Sequence, residues 1–282
     1  MYNAVFKSEN GDQFYFGVSG KNVFDMDVGE GLATNMSLSQ GFSQTGESVD
    51  SVTVSSRTIN VKGVFFDDVD NQKKTLRKVA TPFTKGKLFF ENKYYTNVYV
   101  KNSPSFSPKK GDGRFTMQFI APFPFFYLID EQSALIGYVK PTFSFPVNYA
   151  YPHKFGVKTD AKYVNVVNPG DVPVPFSLHL KANGVSVNPV VSNVKTREFL
   201  KVNGTLSDGA KLKVTRNADG VLNATLTSGG VEEDVLSWID EESSLFEFAT
   251  GDNLIFADDD GGGGNLSARV TFNPAVVAVY ED

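Results

Sequence analysis

Residues 266–272 have the sequence LSARVTF, in which apolar and polar side chains alternate at every position. The same alternation occurs in residues 115–119 (FTMQF) and in residues 176–181 (FSLHLK). A period of two places one set of side chains on a core and the other toward solvent or a partner, which is the pattern of a half-buried β-strand. These stretches predict a chain built mainly from β-strands.

Turn and helix signals lie between the predicted strands. Asn10-Gly11 and Asp219-Gly220 each separate two apolar runs and predict tight β-hairpins. One helix is predicted over Asp67–Ala80, because acidic residues come first, basic residues come later and Thr81-Pro82 provides a stop. The sequence therefore predicts a mainly β protein with one short amphipathic helix.

Composition narrows the classes of function. The chain has 282 residues, enough for about two domains, and it contains no cysteine and only 2 histidines. Disulfide scaffolds, thiol nucleophiles and zinc ribbons are excluded by the missing cysteine. Lysine and arginine total 27 against 32 acidic residues, a net charge of −5, which argues against a protein whose main task is to grip nucleic acid.

Neither a cleaved signal peptide nor membrane insertion is expected. Residues 1–16 interleave Lys7, Glu9 and Asp12 with apolar residues and contain no continuous apolar core of a signal peptide. The longest strongly apolar stretch is residues 119–129, which contains two prolines and falls short of the roughly 20 residues that a spanning helix needs.

A domain junction is predicted in the proline-interrupted chain between residues 121 and 150. The charge changes there: residues 1–140 carry 16 basic and 14 acidic side chains, whereas residues 141–282 carry 11 and 18. We therefore predict an N-terminal domain over residues 1–135, which contains the helix, and a C-terminal domain over residues 136–282.

The segment from Gly29 to Ser51 differs from its surroundings. It is rich in small polar residues, yet it contains Leu32, Met36, Leu38 and Phe42 without a clear period. A compact domain seldom keeps so long an irregular segment unless the segment has a function or is ordered by a partner. We interpret it as an arm whose four apolar residues form an oligomer interface, with a plain mobile loop as the alternative.

No catalytic residue, cofactor site or metal site is predicted. His179 lies on the outward side of an alternating strand, and His153 lies in the irregular junction. We interpret Trp238 as a core residue, although an exposed tryptophan could stack on a sugar. The acidic residues of the second half are interpreted as a solvated face rather than a catalytic pair: Glu232, Glu233, Asp234, Asp240, Glu241, Glu242 and Glu247. Asp258-Asp259-Asp260 lacks the ligand pattern of a calcium loop and is interpreted as part of a flexible hairpin tip.

The sequence resembles the distal tail proteins of long-tailed siphophages in the short motifs that follow. The resemblance covers nearly the whole chain and rests on the order and spacing of short motifs. In chain order these are residues 57–63 (RTINVKG), the helix that follows, residues 88–90 (LFF), 94–100 (YYTNVYV), 114–125 (RFTMQFIAPFPF), 167–173 (VNPGDVP), Asn188-Pro189, 199–204 (FLKVNG) and 251–253 (GDN).

The resemblance implies an N-terminal domain that closes into a homohexameric ring around the DNA channel, followed by a C-terminal galectin-like β-sandwich. It implies a structural protein and not an enzyme, placed at the tail tip of a phage or prophage virion and made in the host bacterial cytoplasm. The implied partners are the tail tube protein, a tail-tip protein and receptor-binding or baseplate proteins. DNA would pass through the ring without specific binding, so we expect Lys73, Lys74 and Lys78 to point away from the channel.

Two other functions remain open at the level of sequence. The C-terminal domain could be a carbohydrate-binding module of an adhesion device, which would require His179, Arg197 and Trp238 to converge on one face. The second is a glycan-cleaving enzyme, which would require a pair of carboxylates across a groove.

Overall fold

The structure is a computed structural model, which describes residues 3–29, 31–109, 111–136, 139–141, 156–158, 163–216, 220–261 and 264–279. The chain divides into two compact units, residues 1–129 together with 276–282, and residues 130–275. Both units are built mainly from antiparallel strands, and the one α-helix among the described residues lies in the first unit. The mainly β fold predicted from the alternating stretches is thus confirmed.

Among the described residues, the first unit contains ten strands, the helix and the end of a strand near the C-terminus. These elements are β1 (Ala4–Ser8), β2 (Gln13–Phe16), β3 (Asn22–Asp27), β4 (Thr34–Ser39), β5 (Ser48–Val54), β6 (Arg57–Phe65), α1 (Val69–Val79), β7 (Lys85–Phe90), β8 (Tyr94–Phe106), β9 (Arg114–Ala121) and β10 (Phe126–Leu128).

One nine-stranded sheet organises this unit, in the order β2-β1-β7-β8-β9-β6-β3, with β10 paired to β8 and the strand Ala275–Val276 paired to β10. Its inward residues are largely aromatic, and their rings contact one another: Phe65 and Phe115 stack with centroids 4.6 Å apart, and Phe6 lies 5.0 Å from Phe119. On the helix, Leu76 and Val79 are buried in the same core. The predicted Asn10-Gly11 hairpin joins β1 to β2 as expected.

The second unit contains fourteen strands among the described residues. They are β11 (Gln132–Ile136), β12 (Val139–Pro141), β13 (Gly156–Lys158), β14 (Tyr163–Asn168), β15 (Ser177–Ala182), β16 (Ser186–Val187), β17 (Val190–Asn193), β18 (Phe199–Lys201), β19 (Thr205–Leu206), β20 (Lys211–Arg216), β21 (Leu222–Ser228), β22 (Val231–Asp234), β23 (Gly251–Asp258) and β24 (Leu266–Phe272). The last strand of the chain is β25 (Ala275–Val276).

Two sheets form the body of the second unit. One has six strands in the order β11-β24-β15-β20-β21-β22, and the other has four in the order β14-β23-β17-β18. The period-two pattern sends Leu178, Leu180, Ala268 and Val270 to the buried side of the six-stranded sheet. Strands β20 and β21 pair as the predicted hairpin requires, although Asp219 itself lies outside the described residues.

Buried asparagines explain two of the turn motifs of the second unit. Asn168 donates from Nδ2 to the carbonyls of Val172 and Phe248, and its Oδ1 accepts from the amide of Gly170. Asn253 donates to the carbonyls of Ala249 and Gly251 in the same way. Each side chain satisfies backbone groups that the turn would otherwise leave unpaired in the interior.

The structure draws the boundary between the units differently from the sequence-based domains 1–135 and 136–282. Strand β11 pairs with β24, so the second unit begins at Asp130. At the other end, the chain from Val276 returns to the first unit, where β25 pairs with β10 and Val276 and Val279 join the core. The apolar residues after Pro274 carry no signal in the sequence for which unit they complete.

Candidate assembly interface

The segment interpreted as an arm forms a two-stranded hairpin. Strands β4 and β5 pair only with each other, and every residue in both strands is exposed. The strands of the hairpin therefore bury none of their side chains within their own chain. The expectation of an irregular segment was wrong, because the pairing of β4 with β5 runs from Thr34 opposite Val54 to Ser39 opposite Ser48.

All the apolar side chains of the two strands share one face. Met36 lies opposite Val52, and Leu38 lies opposite Val49, with a bulge at Asp50 that shifts the register between the two pairs. Directly opposed residues of antiparallel strands point to the same side of the ribbon. Each of these four side chains is exposed, Met36 to 58% and Val49 to 57%.

The predicted interface residues take different positions on this hairpin. Met36 and Leu38 lie on the apolar face, and Phe42 lies in the connecting turn with its ring fully exposed. Leu32 precedes β4 and is half-buried. Sequence reasoning missed Val49, Val52 and Val54 because the bulge at Asp50 breaks the period of two that would have marked β5 as a strand.

The opposite face and the turn hold the hairpin in shape through polar contacts. Ser39 donates from Oγ to Asp50 Oδ1 over 2.8 Å, and Asn35 donates to Ser55 Oγ over 2.9 Å. Within the turn the Gln44 side chain accepts from the Gly41 amide. Residues 31–56 contain the acidic residues Glu47 and Asp50 and no lysine or arginine, so the hairpin is acidic as well as apolar.

A second surface of the first unit has the complementary character. The outward side chains of β1, β7 and β8 combine lysines with aromatic rings, and Lys7 Nζ lies 4.9 Å from the Phe89 centroid while Lys87 Nζ lies 4.5 Å from the Tyr95 centroid. Lys7 and Lys87 are cross-strand neighbours. Where β1, β7 and residues 94–99 of β8 pair, their outward side chains include no acid: Val5, Lys7, Lys85, Lys87, Phe89, Tyr95, Asn97 and Tyr99. We call this set the lysine–aromatic face.

The candidate catalytic and ligand-binding residues are dispersed. His179 lies on β15, Arg197 in the turn after β17, and Trp238 in the 3-10 helix Leu236–Trp238. Neither Arg197 nor Trp238 belongs to a strand of the sheet that carries His179. Trp238 is half-buried and packs on the backbone of Gly204. His153 lies outside the described residues.

The acidic candidates are bound to neighbours or exposed. The Asn203 amide donates to Asp240 over 2.8 Å and lowers the pKa of that carboxyl, with a further contribution from the Glu242 backbone amide. Glu247 pairs with Arg216 at 3.3 Å. A general acid needs a raised pKa, so the lowered pKa of Asp240 does not suit it to that role.

The three aspartates near the end of β23 do not lie at a loose hairpin tip. Asp259 is buried and accepts a hydrogen bond of 2.6 Å from Ser186 Oγ, and Asp260 accepts one from Asn188 Nδ2. Their expected flexibility was wrong, since these side chains fasten the strand end to residues 186–188. In the described part of the chain no group of three histidine or acidic side chains is placed to hold a metal ion, and no helix is long and apolar enough to cross a membrane.

The chain matches known proteins by its fold and not by its sequence. No protein-family model matches the chain, and no curated protein matches it. Its structure aligns with the crystal structure of the Dit (gp 19.1) protein of phage SPP1, described as a paradigm of the hub adsorption apparatus in phages that infect Gram-positive bacteria. The TM-score is 0.64 at 10% identity, over 97% of this chain and 99% of that one. This chain has the Dit fold.

A second structure shares the Dit fold. A chain of the phage p2 baseplate, in its activated conformation with Sr, aligns with a TM-score of 0.50 at 9% identity over 96% of this chain and 98% of that one. Both alignments extend over nearly the full length of each partner, so both units of this chain take part in the likeness. The resemblance to distal tail proteins inferred from the sequence motifs is confirmed at the level of the fold.

Proposed function

We propose that this chain is a structural virion protein, a distal tail component that forms the baseplate hub of a phage or prophage. In this proposal six copies form a ring around the DNA channel and join the tail tube to the tip. The full-length likeness to SPP1 Dit supports the proposal, because that protein is described as a hub of an adsorption apparatus. The hub requires geometry and no catalytic residue, and we assign the chain no enzymatic activity.

The observation that carries the proposal is the exposed apolar face of the β4–β5 hairpin. A two-stranded hairpin is at best marginally stable in water on its own. Phe42 and the apolar face would each lose their contact with water on binding a partner, and burial of one such side chain contributes roughly 1.5–3 kcal/mol. The hairpin therefore has the character of an element that completes its packing against another molecule.

The partner that fits is the lysine–aromatic face of a second copy. The hairpin contributes apolar side chains and two acidic residues, and the lysine–aromatic face contributes aromatic rings and lysines. Electrostatic attraction between the acidic and the basic surface therefore favours their encounter. The two surfaces are different patches of one chain, so the contact is head-to-tail. Head-to-tail contacts close into rings when the rotation per subunit divides a full turn.

The same proposal places the protein in the tail tip of the virion after synthesis in the host bacterial cytoplasm. The tail tube protein, a tail-tip protein and receptor-binding or baseplate proteins are its proposed partners. DNA passes through the ring without specific binding. Lys73, Lys74 and Lys78 are proposed to point away from the channel, and Lys78 already pairs with Asp12 at 3.3 Å.

Serine substitution of the apolar face tests the ring. The variant Met36→Ser/Leu38→Ser/Val49→Ser/Val52→Ser removes the burial that drives docking and touches no core residue. Light scattering coupled to size exclusion, with negative-stain images of the largest species, should show hexamer-sized rings for the natural sequence and monomers for the variant.

The matched control changes the polar face of the same hairpin. Ser37→Ala/Ser51→Ala/Thr53→Ala alters exposed residues of that face, keeps the Asn35–Ser55 and Ser39–Asp50 hydrogen bonds, and should leave the rings intact. Rings that persist in the serine variant would refute the hairpin as the interface. A natural sequence that stays monomeric up to its solubility limit would refute self-assembly of the ring.

A further inference from the structure

A row of cationic side chains crosses the outward face of the six-stranded sheet in the second unit. The register pairs Arg269 with His179 and His179 with Lys213, on the three adjacent strands β24, β15 and β20. Two residues further along β15, Lys181 pairs with Lys211 of β20 and forms a second row on the same face. Adjacent strands lie about 4.8 Å apart, so the four lysine and arginine side chains and His179 occupy one compact area. We call this set the basic row.

The basic row destabilises the folded protein when no ligand is bound to it. Like charges directly opposite each other on a sheet destabilise the pairing. Arg269 and Lys213 are exposed, and no described residue forms a salt bridge or hydrogen bond with either side chain or with His179. Between them, His179 is half-buried. The unit nevertheless has an excess of acids from which partners could have been drawn, since residues 141–282 carry 18 acidic side chains.

The surroundings of the basic row are rich in hydroxyl groups and end in carboxylates. Thr225 lies opposite Lys213, and the next strand places Asp234 opposite Thr225. Thr227 lies between Lys211 and Glu232 in the same way. Along each row the side chains therefore change from cations through a hydroxyl to a carboxylate on the edge strand β22.

We propose that this face binds phosphate groups carried by a hydroxyl-rich chain, a polyol or saccharide phosphodiester. Phosphate oxygens accept hydrogen bonds from guanidinium and ammonium groups, and the basic row supplies such groups with no salt-bridge partner among the described residues. Free hydroxyl groups of the ligand donate to Asp234 and Glu232 and exchange hydrogen bonds with Thr225 and Thr227. This binding is a property of the second unit and does not rest on ring formation.

The side chains of this face favour such a phosphodiester over a nucleic acid. A nucleic acid has one charge on every nucleotide and binds through basic grooves and aromatic stacking platforms. Here the outward side chains of the described strands of this sheet include no phenylalanine, tyrosine or tryptophan on which a base could stack, and a DNA strand has no free hydroxyl groups between its phosphates to donate to the carboxylates of β22. A phosphodiester chain with a free hydroxyl group on each repeat satisfies both ends of the face.

Titration of His179 supplies a second signature. Burial lowers the pKa of His179 below its usual value, Lys213 and Arg269 lower it further, and Glu131 opposes them. Lys181 on the same strand and Lys211 on the adjacent strand share this face with His179. A bound phosphodiester raises the pKa of His179, so affinity increases as the pH falls through that pKa.

The test uses the whole chain and an oligomer of glycerol phosphate diesters as probe, with binding followed by calorimetry and by the histidine ring signals in NMR. Loss of the charge-assisted hydrogen bonds in Arg269→Gln/Lys213→Gln should raise the Kd at least about tenfold and remove the shift that the probe causes in the titration of the His179 signal. The control Lys62→Gln/Arg114→Gln removes the same charge from the first unit and should change the Kd less than about twofold.

Four results would overturn the proposal. The probe does not bind to the natural sequence, both double variants weaken binding equally, or an oligonucleotide with the same number of phosphates binds as tightly as the probe. Dextran binding with equal affinity would also refute it, because a neutral glycan does not use the basic row. Thermal melting of each variant verifies that it is folded, and none of these results depends on whether rings form.

Discussion

At the scale of single residues, Arg57 is the side chain on which several parts of the first unit meet. It is 3% exposed, and its guanidinium donates to the carbonyls of Pro124 at 2.6 Å, Val28 and Gly29 at 3.0 Å, and Val277 at 2.8 Å. The guanidinium carbon also lies 4.6 Å from the centroid of the Phe126 ring. Backbone carbonyls, rather than a carboxylate, compensate the buried charge at these contacts.

Arg57→Met should therefore lower the free energy of unfolding of the first unit by about 3 kcal/mol, since buried carbonyls would lose their donors. Arg57→Lys retains the positive charge but not the planar guanidinium group. Its free energy of unfolding should therefore lie between those of Arg57→Met and the natural sequence. Chemical denaturation followed by tyrosine fluorescence measures both changes. Equal stability of Arg57→Met and the natural sequence would show that the carbonyls find other donors.

Thr96 presents the opposite case on β8. Its side chain is 1% exposed, and its hydroxyl has no hydrogen-bond partner. Thr96→Val replaces an unsatisfied polar group with an apolar group of the same shape and should raise the free energy of unfolding by about 1 kcal/mol. Thr116→Val, on an exposed site of β9, is the control and should change it by less than about 0.5 kcal/mol. A destabilised Thr96→Val would indicate a buried water bound to the hydroxyl.

At the scale of elements, the last residues of the chain stabilise the unit that the first residues form. Val276 and Val279 are buried in the first core, and Val277 accepts from Arg57. Removal of residues 276–282 should lower the melting temperature of the first unit by about 10 °C or more, since two apolar side chains and a charge-assisted hydrogen bond are lost. Calorimetry measures the transition of each unit, and the second transition serves as the internal control. A shift of the second transition alone would contradict the assignment.

The elements that sequence patterns predicted are those with one buried and one solvated face. The alternation in residues 115–119 and 266–272 marked β9 and β24, and the charge gradient marked the helix within two residues of its observed start. The β4–β5 hairpin was missed because neither of its faces is buried in the chain and its bulge interrupts the period. The basic row was also hidden, because its residues come from three strands that only the sheet order brings together.

At the scale of the whole molecule, charges can be exchanged between the two proposed assembly surfaces. Such an exchange distinguishes a specific contact from nonspecific association. Lys7→Glu/Lys87→Glu places acids on the lysine–aromatic face, opposite the acidic hairpin of the next copy. Glu47→Lys/Asp50→Lys places cations on the hairpin, opposite the natural lysines. Each pair of substitutions creates repulsion in the interface and should weaken assembly at least about tenfold, by sedimentation velocity across a dilution series.

The four substitutions together should restore assembly, because each new acid then meets a new lysine while the net charge equals that of the natural chain. Recovery of this kind is a coupling between the two sites, which additive effects on stability cannot imitate. The coupling should weaken as salt is added, whereas the contribution of the apolar face persists, since screening acts only on the charges. If the combined variant assembles less well than either parent, the hairpin docks elsewhere on its neighbour. The serine variant then decides separately whether the hairpin docks at all.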